Sequence, residues 1–420
     1  MTLKHLVRLR LVYSVWAAWL LFQLLLISCS SQLDVVRPEG KGGLTVVAIG
    51  DAGAKTSELR ANASLLTNMY SGQHDGGKPD ALIFLGDNFY NTGLNLPIDD
   101  VEGKTHSILD PFRAPLLGLG RRNVHAIAGN HDYYARHAIE ASGFFGLINI
   151  EEGPVGMSDR GNEREKEIEY WTYYYDLPGE ALYDGGASVD DSIQFVFFDS
   201  ARLLRTDPEA WRLALDSLET ILRKRSKQAG IAWRILCLHH PFVSLGEHGG
   251  YSVWNDETNT VEYLTRCDKD SNAVDWLKNF IDPEDLCAER YRQYVDSVRS
   301  VIKRSGARVQ VVLSGHDHSL QLLHYPARVA DCSECPTVQI ISGAGSKTTK
   351  VREPRPDREF TASQSDKRAE GSSRTGFVQL TFAGERIRVV FFDGRKVEPI
   401  DMGGGRKEFW VGKNGNLIAE

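Results

Sequence analysis

The chain has 420 residues, 42% hydrophobic, 10% aromatic and 25% charged, which is the make-up of an ordinary globular protein and excludes disorder throughout. Its formal charge of −7 becomes more negative once Lys4, Arg8 and Arg10 of the leader are set aside, so no nucleic-acid partner is expected, because that binding rests on basic surface. A role in handling phosphate would need local positive charge, and bound metal ions are a strong source of it.

Residues 1–28 start basic, run apolar from Leu11 to Ile27 and lead into Ser28-Cys29-Ser30-Ser31. This is the layout of an export signal. The small residue before Cys29 resembles the lipobox of bacterial lipoproteins, in which the cysteine takes the lipid and becomes the mature N-terminus. Ser30 after it, not being Asp, points to the outer membrane of a bacterial envelope. The rival reading is an uncleaved anchor, since about 18 apolar residues just span a bilayer. Either way the body is expected outside the cytoplasm, and a monomer is expected.

After a polar tether over 29–43, Leu44 to Ile49 reads as a strand ending in Gly50-Asp51-Ala52-Gly53. Taken alone, Asp51 also reads as the cap of a helix over Ser57 to Tyr70. Ala81 to Leu85 is a second apolar strand, delivering Gly86-Asp87-Asn88-Phe89-Tyr90. The glycine lets the chain leave the strand sharply, so the Asp87 carboxylate and the Tyr90 phenol can reach one point. A phenol with an ordinary pKa of about 10 becomes a good ligand only when a strongly polarising ion takes its proton, so Tyr90 points to ferric iron. The plainer reading has Asp87 and Asn88 closing a turn and Tyr90 in the core.

A helical pattern around Ser107 to Leu117 is interrupted by Pro111 and Pro115, which remove backbone donors. Val124 to Ala128 then runs into Gly129-Asn130-His131-Asp132. Neighbouring residues at a sharp turn point apart, so Asn130 can face a cation while His131 faces whatever binds it. Trp171 to Tyr175 reads as an amphipathic strand, Ile193 to Phe198 as a buried one, and Pro208 to Arg225 as an amphipathic helix. Trp233 to Leu238 delivers His239-His240-Pro241, followed by Glu247-His248-Gly249. Glu289 to Arg304 is helical, and Val309 to Leu313 ends in Gly315-His316-Asp317-His318. In an extended backbone alternate side chains face one way, which would bring His316 and His318 to one site with Asp317 facing away. Val338 to Ile341 and a β-rich stretch from Gly376 to Phe392 complete the body, and 396–420 reads as a peripheral tail.

Five cysteines follow Cys29. Cys332 and Cys335 would be half of a zinc site if a second such pair existed; none does, so a local disulfide is expected. Cys267 and Cys287 form the natural second pair, and Cys237 lies within an apolar strand as a buried thiol.

The recurring pattern is an apolar strand, a glycine-assisted turn and a polar ligand type, at Asp51, Asp87, Asn130, His239 and His316. Open sheets gather function at the carboxyl ends of their strands. Oxygen and imidazole donors together suit two hard or borderline ions better than a structural zinc, which favours thiolates.

On these residues the chain resembles the calcineurin-like metallophosphoesterases, and within them the purple acid phosphatases of the tartrate-resistant type. The likeness covers roughly Thr45 to Phe392 and extends to Ser319-Leu320-Gln321 and Ser342-Gly343-Ala344-Gly345. It implies an α/β fold of two packed mixed β-sheets flanked by helices, a four-layer αββα sandwich, with a catalytic domain over 44–395. It further implies that Asp51, Tyr90 and His318 bind Fe(III), that Asp87 bridges, and that Asn130, His239 and His316 hold Fe(II), Zn(II) or Mn(II). His131 and His248 match the family's substrate-facing histidines. The implied activity is hydrolysis of phosphate monoesters by attack of a metal-bound hydroxide, with an acidic optimum.

The chain departs from that pattern at Ala52, where the tartrate-resistant enzymes carry tryptophan, and in a short segment after Asp199. It also has about 40 extra residues over 249–290, tied at both ends near the proposed metals. Such an insertion reads as a lid or specificity wall, and its Tyr251, Trp254 and Tyr263 could stack on an aromatic leaving group. The competing functions are a phosphodiesterase or nucleotide pyrophosphohydrolase on the same fold, and an inactive surface-binding lipoprotein.

Overall fold

The computed structural model describes residues 43–74, 77–93, 101–120, 122–133, 179–184, 192–206, 208–226, 231–246, 252–255, 260–263, 288–324, 332–349, 351, 361–363, 374–402 and 405–418. All lie in the second of two compact units, Val36–Glu420. The leader, Cys29, the 171–175 strand, His248 and the Cys267/Cys287 pair fall outside the described residues. Among the described residues no helix is long and apolar enough to cross a membrane.

The first stretch runs β1 (Leu44–Ile49), α1 (Ser57–Tyr70), β2 (Ala81–Leu85), α2 (Val101–Leu109), a 3-10 turn at Asp110–Phe112, α3 (Arg113–Leu119) and β3 (Val124–Ile127). Thr56 caps α1 by accepting from the Leu59 amide at 3.1 Å, so Asp51 is not the cap. The break between α2 and α3 holds Pro111. There follow β4 (Gly179–Asp184), β5 (Ser192–Phe197), α4 (Ser200–Arg205), α5 (Pro208–Ser226), β6 (Ile231–Cys237), β7 (Ser252–Asn255), β8 (Thr260–Tyr263) and α6 (Glu289–Ser305). The chain closes with β9 (Val311–Ser314), β10 (Leu320–His324), β11 (Val338–Ser342), β12 (Thr361–Ser363), β13 (Phe377–Ala383), β14 (Arg386–Asp393), β15 (Glu398–Pro399), β16 (Glu408–Gly412) and β17 (Leu417–Ile418).

Two large mixed sheets result. The first has the order β17-β16-β14-β13-β1-β2-β3, with β15 on β14, and the second β12-β10-β11-β9-β6-β5-β4. β1, β2 and β3 are mutually parallel, as are β5, β6, β9 and β11. Strands buried on both faces read as continuous apolar runs, and β1 shows why. Its Val46 and Ala48 join Ile83, Leu85, Phe195, Phe197, Ile235 and Leu313 in a core between the sheets. Its Val47 and Ile49 face the other way, onto Leu59, Leu66 and Phe112 of the helical layer. On the second sheet's outer face Val196, Leu236 and Leu238 pack against Leu218, Tyr291 and Val298 of α5 and α6. The architecture is therefore helix, sheet, sheet, helix. Phe382 of β13 meets Phe195 at 5.8 Å and Trp233 at 6.1 Å edge-on. Each such pair stabilises the sheet contact by about 0.5–1.5 kcal/mol beyond area burial.

The peripheral tail over 396–420 is corrected. β16 pairs with β14 from Arg386↔Gly412 to Val390↔Glu408, and its Phe409 and Val411 are buried in the inter-sheet core. The period-two pattern there is short and hemmed by glycines. Cys332 and Cys335 are disulfide-bonded, and Cys237 is a buried free thiol. Part of the 249–290 insertion forms the antiparallel β7–β8 pair.

Candidate metal centre

Five strands, three parallel in the first sheet and two parallel in the second, end at one place. β1 leads to Asp51, β2 to Asp87 and Tyr90, and β3 to Asn130 and His131, while β6 leads to His239 and β9 to His316 and His318. Asp51, Asp87 and His316 have φ of 56°, 53° and 70°. Non-glycine residues rarely adopt this left-handed region, and its cost is tolerated where the surroundings hold it for a purpose. The sharp exit aims each side chain back across the strand ends. Gly86 must be glycine, since a Cβ there would lie 2.4 Å from His239 Nδ1.

Tyr90 Oη lies 2.9 Å from Asp51 Oδ1, 2.7 Å from Asp87 Oδ2 and 3.1 Å from His318 Nε2. Beside that group, Asn130 Oδ1 lies 3.0 Å from His239 Nε2 and 3.2 Å from His316 Nδ1. His239 Nε2 is also 3.4 Å from Asp87 Oδ1. Donors about 3 Å apart are what neighbouring ligands of one ion show when each sits about 2.0–2.2 Å from it. Asp87 thus offers one oxygen to each group. Asp51, Asp87 and His318 form one buried cluster able to hold an ion, and His239, His240 and His316 another.

The donor chemistry fits metal ions. His239 Nδ1–H donates to the Leu85 carbonyl at 2.7 Å, which leaves the neutral ring's Nε2 lone pair facing the oxygens of Asn130 and Asp87. Acceptors facing acceptors are stable when a cation lies among them. Oxygen plus imidazole, without thiolate, suits hard and borderline ions.

The carboxylates are electrostatically unequal. Burial, and then the neighbouring Asp87 charge, push Asp51 well above the usual carboxylate range. Burial also opposes ionisation of Asp87, but without a metal the attraction of His239 and His131, when these imidazoles are protonated, together with the Tyr90 bond outweighs it and holds Asp87 below that range. Burial and the two carboxylates push the Tyr90 phenol up. Asp87 is the ionised member, and added positive charge would favour ionisation of all three.

His131 borders the donors without joining them, its Nε2 lying 3.9 Å from Asp87 Oδ2. Its amide donates to Asp87 Oδ1 at 2.9 Å, its Nδ1–H to the Asn91 carbonyl at 2.6 Å, and its side chain is 22% exposed. The extended reading of the Gly-His-Asp-His turn is corrected. With His316 left-handed, the two imidazoles go to neighbouring donor groups instead of one. Asp317 does face away, against the backbone of Gly246.

Several contributors escaped the sequence reading. Asp132 accepts from the amides of Gly129, Asn88 and Phe89 at 2.9, 3.0 and 3.1 Å, and from Asn88 Nδ2 at 3.0 Å. It staples the turn after β2 to the turn after β3, and burial followed by the Asp87 charge raises it to about 7. Its place directly after Asn130-His131 was a usable signal. His240 packs 4.3 Å from the His316 ring, and its Nδ1 meets Ser200 Oγ at 3.0 Å. Lys347 Nζ lies 3.5 Å from the Tyr90 ring centroid. Nothing in the local sequence marks it.

The calcineurin-like phosphoesterase family matches residues 44–320. The chain belongs to this family. Among solved structures, this calcineurin-like phosphoesterase is similar to GAP50, described as the anchor in the inner membrane complex of Plasmodium. The identity is 14% over 86% of this chain and 87% of that one, with a TM-score of 0.52, a likeness of fold. A purple acid phosphatase from yellow lupin (Lupinus luteus) seeds is 13% identical over 89% of this chain and 55% of that one, TM-score 0.45. A dimetal phosphatase from Danio rerio is 13% identical over 89% and 99%, TM-score 0.41. No curated protein matches the sequence.

Proposed function

We propose that this calcineurin-like phosphoesterase is a two-metal phosphomonoesterase of the purple acid phosphatase kind, tartrate-resistant type. The observation that carries the reading is Asp87, whose Oδ2 meets Tyr90 at 2.7 Å while its Oδ1 faces His239 at 3.4 Å. Asp51, Tyr90 and His318 would hold one ion, and Asn130, His239 and His316 the other, with Asp87 shared. A phenol set between two carboxylates favours Fe(III) in the first position, with Fe(II), Zn(II) or Mn(II) in the second. Such a pair, when bound, supplies Lewis acidity and a nucleophilic water near neutral pH.

The chain's own residues do the rest. His131 is oriented by Asn91, so its Nε2 can hydrogen-bond a phosphoryl oxygen or, when protonated, give a proton to the departing alkoxide. His248 is assigned the same task from the motif. Export, lipidation at Cys29 in the envelope and a monomeric state belong to the same proposal and rest on the leader and the motifs. A labelled fatty acid taken up equally by Cys29→Ser would overturn the anchor.

A second reading, a binding protein without turnover, draws on the fold shared with the Plasmodium anchor, because fold alone does not fix function. The complete donor set favours the enzyme. The deciding experiment loads the protein with iron and zinc or with zinc alone. It then measures metal content, the visible spectrum and hydrolysis of an aryl phosphate against a bis-aryl phosphate. Two ions per chain, a violet band lost in Tyr90→Phe, and monoester preference support the reading. A colourless protein fully active with zinc alone removes the ferric part, and diester preference removes the monoesterase.

A further inference from the structure

The ligands are nearly sealed from solvent, with Asp51, Asp87, Asn130, His239, His316 and His318 all buried. His131 and Lys347 are not, and both border the Tyr90 ring. The His131 ring centroid lies 4.4 Å from that of Tyr90, and Lys347 Nζ lies 3.5 Å from it. The open rim of the centre is therefore formed in part by an imidazole and an ammonium.

The loop carrying Lys347 is clamped from both sides. Ser346 Oγ donates to the Asp51 carbonyl at 2.5 Å, and Thr56 Oγ1 donates to the Ser346 carbonyl at 2.8 Å. Gly345 N donates to Gly50 O at 3.0 Å, and Thr349 N to the His318 carbonyl at 2.8 Å. A lysine whose neighbours are bonded to two ligand-bearing turns is positioned with the centre, unlike a free surface cation. Partial burial disfavours its charge and pulls its pKa below the usual lysine range, against the attraction of Asp51 and Asp87, and among the described residues no ion pair joins it to a carboxylate. When cations engage those two carboxylates, their pull on the ammonium is cancelled. Its three N–H donors are then left for an anion at the same rim.

We propose that Lys347 is a substrate-binding residue whose ammonium donates to a phosphoryl oxygen, favouring a phosphate dianion over a diester monoanion. This deepens the monoesterase reading and rests on it for the substrate class. An extra fixed cation is worth more to a doubly charged ligand than to a singly charged one, so Lys347 would set monoester against diester.

The test compares Lys347→Gln and Lys347→Arg with the wild type in metal content, thermal midpoint, inorganic phosphate affinity by equilibrium dialysis, and kinetics on an aryl phosphate and a methyl aryl phosphate. Expected for Lys347→Gln are full metal content, phosphate affinity weakened about 10–100-fold, and a KM rise for the monoester exceeding that for the diester about tenfold. Lys347→Arg should recover most of the affinity. Loss of metal, unchanged phosphate affinity, or an equal change on both esters overturns the assignment. If the wild type prefers the diester, the monoesterase reading falls by itself, and dialysis still decides whether Lys347 binds phosphate.

Discussion

His239 is held by Leu85. The ring's Nδ1–H donates to the Leu85 carbonyl at 2.7 Å, and Leu85 is the last residue of the strand that delivers Asp87. One strand end thus supplies the carboxylate shared by both donor groups and fixes the imidazole opposite it. Asp87→Asn is accordingly expected to lower occupancy of both metals, whereas Asp51→Asn and His316→Ala should each lose mainly one. Metal analysis per chain checks this; loss of a single ion in Asp87→Asn would count against sharing. Gly129→Ala should act in the same direction, because its methyl would stand 2.2 Å from Asp87 Oδ1.

His131→Ala should keep its metals and lose turnover by about 10²–10³, the usual cost of one preorganised donor. Its imidazole touches Asn91 and the Tyr90 ring, lies 3.9 Å from Asp87 Oδ2 and is partly open to solvent. Metal content measured beside kcat separates the roles. Reduced metal would make His131 a support of the centre.

Asp132→Ala removes the acceptor of three backbone amides and one side-chain amide. A destabilisation of about 3–5 kcal/mol is expected from the buried donors left unpaired. Metal affinity should weaken about 10–100-fold, as for other residues that orient ligands. Denaturant unfolding and competition with a chelator read the two effects separately, and an unchanged metal affinity would confine Asp132 to stability.

Acid should weaken the fold through His125 of β3. Its Nε2 meets the Tyr183 hydroxyl at 2.7 Å and its ring stacks on Phe197 at 4.8 Å, and burial lowers it from 6.5 to about 3. The folded protein keeps this imidazole neutral while the unfolded chain protonates it. The associated stability is complete above pH 6.5 and is lost as pH falls toward 3. At pH 4.5 the loss is about 2–3 kcal/mol. The thermal midpoint of His125→Gln should therefore fall less than that of the wild type between pH 7 and pH 4.5. Parallel slopes would refute the assignment.

Much of this was legible in sequence because strands buried on both faces announce themselves. Ala81–Leu85 and Leu44–Ile49 appear as read, each ending on its ligand. The centre was legible because glycine and ligand types are local to strand ends. Contributions made through space were not. Lys347 reaches Tyr90 across the sheet ends from a loop without a pattern of its own, and Asp132 acts through amides 44 residues away. β16 was missed because its apolar residues are few, and Phe409 and Val411 are buried only once the strand pairs with β14 and joins the inter-sheet core. The turn at His316 escaped because a left-handed histidine contradicts local preference.

Each donor group draws on both sheets: Asp51 and Tyr90 from the first meet His318 from the second, and Asn130 meets His239 and His316. The last of these ligands emerges when about three quarters of the chain has been synthesised. A nascent N-terminal half can gather no complete set, so any metal capture would wait for the sheets to close on one another. The pool of ions present where that closure happens, more than the ligands' intrinsic ranking, would then select the cargo. Identical chains folded in two different surroundings would leave with different metals.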